Sequence, residues 1–251
     1  MALTGAGGGV LAIPLLVFGL HLPLQQAAPV GLLAVGLAAA LGAALGLRQR
    51  IVRYRAAALI GVVGMLMAPL GVWLAQRLPH RPLLGVFALV LLYTAWRMLK
   101  RPAIRVDLPV AVLCRVNQDD QRLTWTLPCA RALAGTGLIA GLLSGLLGVG
   151  GGFVIIPALS RHTNLELRSI QATSLAVIAL VSVSGVAAAA MHQPLRWVVA
   201  LPFAAGAVLA LLGAQRLAQR LDARRLQQVF AWFCVLVALL MVARALDWVA
   251  G

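Results

Sequence analysis

One ten-residue stretch occurs twice in this chain, first as Gly5-Ala6-Gly7-Gly8-Gly9-Val10-Leu11-Ala12-Ile13-Pro14 and, 143 residues later, as Gly148-Val149-Gly150-Gly151-Gly152-Phe153-Val154-Ile155-Ile156-Pro157. Six of the ten positions are identical, including three consecutive glycines and the proline. At the same offset, Gln76-Arg77-Leu78 returns as Gln219-Arg220-Leu221. The chain is therefore a duplicated unit. Duplicated hydrophobic segments that are interrupted by glycine and proline are typical of secondary transporters.

The composition excludes a water-soluble core. Hydrophobic residues make up 62% of the chain and charged residues 11%, whereas a soluble domain carries roughly 25% charged residues. Apolar runs long enough to cross a membrane lie at 26–47, 56–75, 170–191, 197–214 and 226–243, with a shorter run at 83–99.

The net charge of +15 does not indicate nucleic acid as a partner, because the basic residues lie between the apolar runs. In a membrane protein, clusters of this kind mark cytoplasmic loops. The three cysteines, Cys114, Cys129 and Cys234, have no metal-ligand spacing and do not form an even disulfide set. We expect all three to be reduced and structural.

These features predict an all-α polytopic membrane protein built from two tandem repeats. Transmembrane repeat one covers 1–99, with a Gly-rich element at 5–20 and helices at 26–47, 56–75 and 83–99. Transmembrane repeat two covers 132–251, with a Gly-rich element at 132–160 and helices at 170–191, 197–214 and 226–246. Between the repeats lies a cytoplasmic linker at 100–131, in which the β-prone runs 110–116 and 121–127 flank turn formers and predict a small hairpin.

The path of the Gly-rich element decides how the two repeats are oriented. If it crosses the membrane as a broken helix, the repeats are parallel and the basic residues divide 13 to 8 between the two sides. If it enters and leaves on the same side, each repeat has three full spans, the second repeat is inverted, and the division is 17 to 4. The positive-inside rule favours the second arrangement. We therefore predict re-entrant elements in inverted repeats.

Re-entrant backbone is tolerated at membrane depth only where protein or a watery cavity covers it. The arm after the glycines begins a helix there, and a helix N-terminus is a ready anion site. The predicted substrate-binding glycines are Gly7, Gly8, Gly9, Gly150, Gly151 and Gly152, with Pro14 and Pro157 as structural breaks. The alternative is that the glycines only allow close helix packing.

Few polar residues lie inside the spans. Gln26, Gln171, Thr173, Ser174 and Ser144 are the candidate substrate ligands, although Ser and Thr at a helix start also bond their own backbone. All six acidic residues fall in loops or at ends, so no carboxylate is placed for a proton relay or a cation site. We expect no catalytic set, metal or cofactor, and an anionic substrate.

The chain resembles the TauE/SafE sulfite exporter family. The resemblance rests on Gly141-Leu142-Leu143-Ser144-Gly145-Leu146-Leu147-Gly148-Val149-Gly150-Gly151-Gly152 with Pro157, on Ala172-Thr173-Ser174-Leu175, and on the matching glycines of repeat one. It covers essentially the whole chain. It implies a multi-pass permease of the bacterial inner membrane that moves sulfite, sulfoacetate or another organosulfonate, as an exporter.

Repeat one departs from this pattern, because only Met1-Ala2-Leu3-Thr4 precede its glycines. We expect an apolar arm upstream of Met1, by analogy with 134–147. The alternatives to a sulfite or organosulfonate exporter are a permease for another small organic anion and a non-transporting membrane subunit. The pattern does not select a coupling ion or an oligomeric state.

Overall fold

The computed structural model describes residues 7–20, 22–100, 114, 126–163, 165–192, 196–218 and 223–250. Nine α-helices occupy most of this part of the chain, together with a π-helical turn at Leu15–Gly19. The helices are α1 (Gly7–Pro14), α2 (Leu24–Arg48), α3 (Tyr54–Arg77), α4 (His80–Lys100), α5 (Leu127–Leu147), α6 (Gly152–His162), α7 (Leu167–His192), α8 (Trp197–Ala218) and α9 (Ala223–Ala250). The all-α class is confirmed, and each of the six predicted long helices is present.

Within the described residues, four helices, α2, α3, α5 and α7, are long and apolar enough to cross a membrane. Shorter apolar stretches lie within α4, α8 and α9, at Pro82–Trp96, Trp197–Gly213 and Gln228–Ala243. Large apolar side chains are exposed on the outer faces of the helices, among them Leu66, Leu89, Val183, Leu209 and Leu239. A surface of this kind suits lipid rather than water. The chain is an all-α, multi-pass membrane protein.

Glycines bring α3 and α5 into backbone contact. A Cβ at Gly137 would lie 2.6 Å from Ile60 O. No Cβ would fit at Gly141 or Gly145 either, because both glycines lie against the backbone of α3. Small residues at this spacing let two helices approach closely in a membrane. The successive contacts pair Gly137 with Ile60, Gly141 with Gly64 and Gly145 with Ala68, so the two helices run in the same direction.

Hydrogen bonds fix the direction of α7. Ser169 Oγ donates to Ile51 O at 2.7 Å, and Ser184 Oγ donates to Met65 O at 2.7 Å, so α7 runs parallel to α3. Against α2 the order is reversed, because Gly46 packs on Ala172, Gly36 on Ser182, and Gly185 on Leu32.

The bundle therefore has two distinct ends. At one end, called the Arg53 end, α2 finishes and α3 and α7 begin. At the other, called the Leu78 end, α3 finishes and α2 begins, since Gln25 Nε2 donates to Leu78 O at 3.3 Å.

The start of α5 differs from the sequence prediction. The helix begins at Leu127, five residues before the predicted 132, because Thr126 caps it by accepting from Cys129 N and because Pro128 suits a first turn. The predicted hairpin at 110–116 and 121–127 falls outside the described residues, apart from Cys114, Thr126 and Leu127, and Leu127 is helical. Cys114 forms an isolated parallel bridge with Thr163.

The prediction that all three cysteines are reduced is wrong for two of them. Cys114 and Cys129 form a disulfide, with their Cα atoms 5.2 Å apart, while Cys234 is free and buried. The amide of Cys114 also donates to His162 O, at the end of α6, at 3.0 Å. Linear spacing could not show this pairing, because it depends on where α6 ends relative to the first turn of α5.

Candidate functional site

The glycine turn between α5 and α6 is left-handed at three positions. The φ values of Gly148, Gly150 and Gly151 are +72°, +80° and +69°, and such values suit glycine because it has no Cβ. Gly148 also ends α5, by donating its N–H to Ser144 O at 2.8 Å. A Cβ on Gly148 would lie 2.5 Å from Ala28 Cα, and one on Gly151 would lie 2.7 Å from Ala140 O. Both the backbone conformation and the space thus require glycine here.

Helix α6 begins directly after this turn, and its first N–H groups have no acceptor within the helix. The first hydrogen bonds of the helix run from the N–H groups of Val154 and Ile155 to Gly151 O, at 3.0 and 3.2 Å. The N–H groups of Gly152 and Phe153 precede them and are the donors that a helix start leaves without an intrahelical acceptor. Gly152 and Phe153 are both buried. A small anion is the ligand that such a group of buried donors suits best.

The turn lies between the middle parts of two long helices. A Cβ on Gly150 would lie 3.0 Å from Ile178 Cγ2 and 3.1 Å from Val35 Cγ1. Both residues stand 11 positions after the first residue of their helices, α7 and α2, which is about 16 Å along the axis at 1.5 Å per residue. The start of α6 is therefore about as deep in the bundle as it can be.

Gly9, in the glycine run of repeat one, meets this turn directly. Gly9 packs against the carbonyl of Val149 so closely that no Cβ would fit. Gly7, Gly8 and Gly9 are the first residues of α1 and are helical. Gly9 is therefore needed for the close approach of α1 to Val149 rather than for a left-handed turn. The chain before Gly7 lies outside the described residues. The structure thus places Gly9 of the first glycine run against the turn that holds the second.

The predicted breaks at the two prolines differ from one another. Pro14 is the last residue of α1, and the chain continues from it as the π-helical turn Leu15–Gly19. Pro157 lies inside α6, which continues to His162. Ser160 Oγ donates a hydrogen bond to the carbonyl of Pro157 at 3.1 Å.

Three of the predicted polar ligands carry a buried polar atom that has no hydrogen-bond partner among the described residues: Ser144 Oγ, Ser174 Oγ and Gln26 Oε1. Ser144 lies one turn beyond Ala140 on the same face of α5, and Ala140 is the residue on which Gly151 packs. Its hydroxyl is therefore beside the glycine turn. Ser174 lies near the start of α7 and Gln26 near the start of α2, at opposite ends of the bundle.

Thr173 and Gln171 have other surroundings. Thr173 is fully buried and its Oγ1 accepts a hydrogen bond from Arg53 N at 3.1 Å, so it holds the loop between α2 and α3. Gln171 is half-buried in the first turns of α7. The structure does not bring either side chain to the glycine turn.

Ser182 is a candidate that the sequence prediction missed. It is 2% exposed, and its Oγ has no hydrogen-bond partner in the described part of the chain. It lies one turn beyond Ile178 on α7 and packs on Gly36 of α2. The signal that could have found it is a hydroxyl near the middle of an apolar span, where an unpaired polar group is costly.

Comparison with known proteins agrees with these features. A family model described as sulfite exporter TauE/SafE matches residues 1–241. Two proteins, each called "Probable membrane transporter protein", from Xylella fastidiosa strains 9a5c and Temecula1 / ATCC 700964, are 28% and 27% identical to this chain over 249 and 252 residues. Each match covers 98% of this chain and 90% of the relative. No solved structure matches.

Proposed function

Because the chain belongs to the sulfite exporter TauE/SafE family, and is therefore a membrane transporter rather than an enzyme, we propose that it exports a small anion across the bacterial inner membrane. Sulfite or an organosulfonate is the proposed substrate. The observation that carries the proposal is the buried start of α6 in the middle of the bundle, with Gly9 of α1 packed against the turn that precedes it.

The proposed architecture is a pair of inverted repeats, at 1–99 and 132–251, joined by the linker at 100–131. Its support is the antiparallel packing of α2 on α7, which are the first long helices of the two repeats. The short arms also leave the shared centre in opposite directions. The chain runs from Gly9 to the start of α2 at the Leu78 end, and from Gly152 to the start of α7 at the Arg53 end.

A re-entrant element in repeat two agrees with the contacts at the Arg53 end. Helix α5 is long enough to cross a membrane, but its first turn holds Cys129, which is bonded to Cys114. Cys114 in turn donates to His162 O, at the last residue of α6. The beginning of α5 and the end of α6 therefore lie side by side, as they would if the chain returned to the side it entered from.

The proposed orientation places the Arg53 end in the cytoplasm. Arg48, Arg50, Arg53, Arg55, Arg131, Arg161 and Arg168 lie in or beside the elements that meet at this end. Cytoplasmic loops carry such an excess of basic residues. The central linker is then cytoplasmic as well, since it leads into α5.

In the proposed mechanism, the N–H groups of Gly152 and Phe153 hold the anion, and the dipole of α6 stabilises its negative charge by about 0.3–2 kcal/mol. The hydroxyls of Ser144 and Ser182 supply further donors at a similar depth. Transport follows when the site opens to one end of the bundle and then to the other. An anion bound by backbone groups needs no arginine at this depth.

The test is anion flux into proteoliposomes that contain the purified chain, with sulfite, sulfoacetate, thiosulfate and acetate compared side by side. Saturable flux of sulfite or sulfoacetate, well above that of acetate, supports the proposal. Preference for acetate would make the chain a permease for another organic anion, and no flux of any anion would leave it without a transport function.

A further inference from the structure

We infer that a small cavity at the Leu78 end is an access vestibule for an oxyanion and that Gln76 is its selecting side chain; this rests on the proposed transport function. The cavity has a volume of about 20 Å³, which is room for about one water molecule. The structure thus contains the vestibule in a narrow state. Its walls come from α2, α3, α7 and the end of α5.

The cavity leads to the glycine turn. Gly145 and Gly148 line it, and Gly148 is the first residue of the turn that ends at α6. Ser144, whose buried hydroxyl is unpartnered, is the neighbour of Gly145 in the chain. A solute in this cavity is therefore separated from the candidate anion site by only the few residues of the turn.

Gln25 and Gln76 are the two polar side chains of the cavity wall. Gln25 is already engaged, since its Nε2 donates to Leu78 O. Gln76 is half-buried and has no hydrogen bond to the described part of the chain. A carboxamide carries two N–H donors, and an oxyanion can accept from both of them. Gln76 is thus free to bind the substrate, whereas Gln25 holds the mouth of the vestibule in place.

The opposite end of the bundle is closed in the same structure. There the loop between α2 and α3 is tied to α7 by Ser169 Oγ to Ile51 O and by Arg53 N to Thr173 Oγ1. Gly46 also packs on Ala172 and Val52 without space for a Cβ. An alternating-access carrier that is closed at one end exchanges its substrate at the other, which here is the end with the cavity and, for an exporter, the end of release.

A binding test that does not depend on flux uses the full chain with Cys234→Ala and Ala75→Cys, because Ala75 also lines the cavity. We expect methanesulfonate to slow the reaction of this cysteine with N-ethylmaleimide, while dimethyl sulfone, its neutral analogue, does not. Adding Gln76→Leu should raise the methanesulfonate concentration needed for protection about tenfold, as expected for the loss of a hydrogen bond to a charged partner.

The matched control is Gln49→Leu, which removes an exposed glutamine at the Arg53 end and should leave protection unchanged. Equal protection by methanesulfonate and dimethyl sulfone, or no effect of Gln76→Leu in a chain that elutes as a folded species, would overturn the inference. Normal protection in a chain that moves no anion would reject the transport function and leave the vestibule intact.

Discussion

At the scale of single residues, the candidate site depends on the missing Cβ of glycine and on buried hydroxyls that have no hydrogen-bond partner among the described residues. Gly151 needs a positive φ and the space beside Ala140 O at once, whereas Gly85, Gly135 and Gly206, for example, need neither. Ser144 is fully buried, and its hydroxyl has no hydrogen bond to the residues that the structure describes. A protein tolerates such a group where a ligand can satisfy it, because an unpaired buried hydroxyl costs about 1–3 kcal/mol.

Replacement of Gly151 by valine should abolish transport. The left-handed φ and the 2.7 Å approach to Ala140 O are both incompatible with a branched side chain, at a cost of about 1–3 kcal/mol from backbone strain alone. The measurement is anion flux in proteoliposomes. Gly135→Val is the matched control, because nothing lies within 4 Å of a Cβ at that position of α5. Wild-type flux in Gly151→Val would show that the turn is only a packing feature.

Replacement of Ser144 by alanine should weaken transport and stabilise the protein. The change removes a proposed ligand and, in the empty protein, an unpaired buried hydroxyl worth about 1–3 kcal/mol. Flux and thermal unfolding in detergent are the two measurements. Thr136→Val is the control on the same helix, because Thr136 Oγ1 already donates to Ala132 O at 2.8 Å. A Ser144→Ala protein that is less stable and transports normally would assign the hydroxyl a structural role.

At the scale of elements, two regions matter. The closed Arg53 end must open during transport, and the pair formed by α5 and α6 must keep its shape. Two side chains of α7 bond the backbone of the α2–α3 loop, and one disulfide joins Cys114 to the start of α5. The helices themselves could be predicted from apolar runs and their lengths. The two hydrogen bonds and the disulfide could not be predicted in this way. Each of the hydrogen bonds joins groups more than 110 residues apart, and the disulfide depends on which helix end lies near Cys129.

The double variant Ser169→Ala with Thr173→Val should open the Arg53 end. Each lost hydrogen bond contributes about 0.5–1.5 kcal/mol to the closed state, so a cysteine at Val52 should react faster with a maleimide than it does in the parent chain. Ser184→Ala is the control, because it breaks a bond of the same kind from α7 to α3, away from the loop. Equal acceleration by Ser184→Ala would indicate general loosening of the bundle.

The disulfide should respond to its compartment. If the Arg53 end is cytoplasmic, Cys114 and Cys129 should be trapped as free thiols in acid-quenched cells and become oxidised in the purified protein, since cytosolic disulfides are rare or transient. Oxidation should then stabilise the protein by about 3 kcal/mol, as for a closed loop of this length. Gel-shift trapping measures the first and thermal unfolding the second. A pair that is oxidised in intact cells would place this end in the periplasm.

At the scale of the whole molecule, the duplicated glycine stretch marked two segments that lie against each other, with Gly9 packed on the carbonyl of Val149. Charge counting favoured inverted repeats, and that arrangement stays a prediction. Neither the glycine repeat nor the charge count predicts Ser182, the close packing of α3 on α5 at their glycines, or the cavity at the Leu78 end. These features arise from contacts between helices. Gln26 and Gln171 occupy corresponding places in the two repeats, yet nothing in the sequence tells how far each lies from the turn.

The central claim, inverted repeats joined through re-entrant glycine elements, is tested most directly by the side from which single cysteines are labelled. In a chain without its three native cysteines, we predict that Gln49→Cys and Glu166→Cys react with a membrane-impermeant maleimide only after the cells are permeabilised. Arg196→Cys should instead react in intact spheroplasts. Labelling of Glu166→Cys from outside, with Arg196→Cys protected, would contradict the account, because it would show that the second glycine element crosses the membrane.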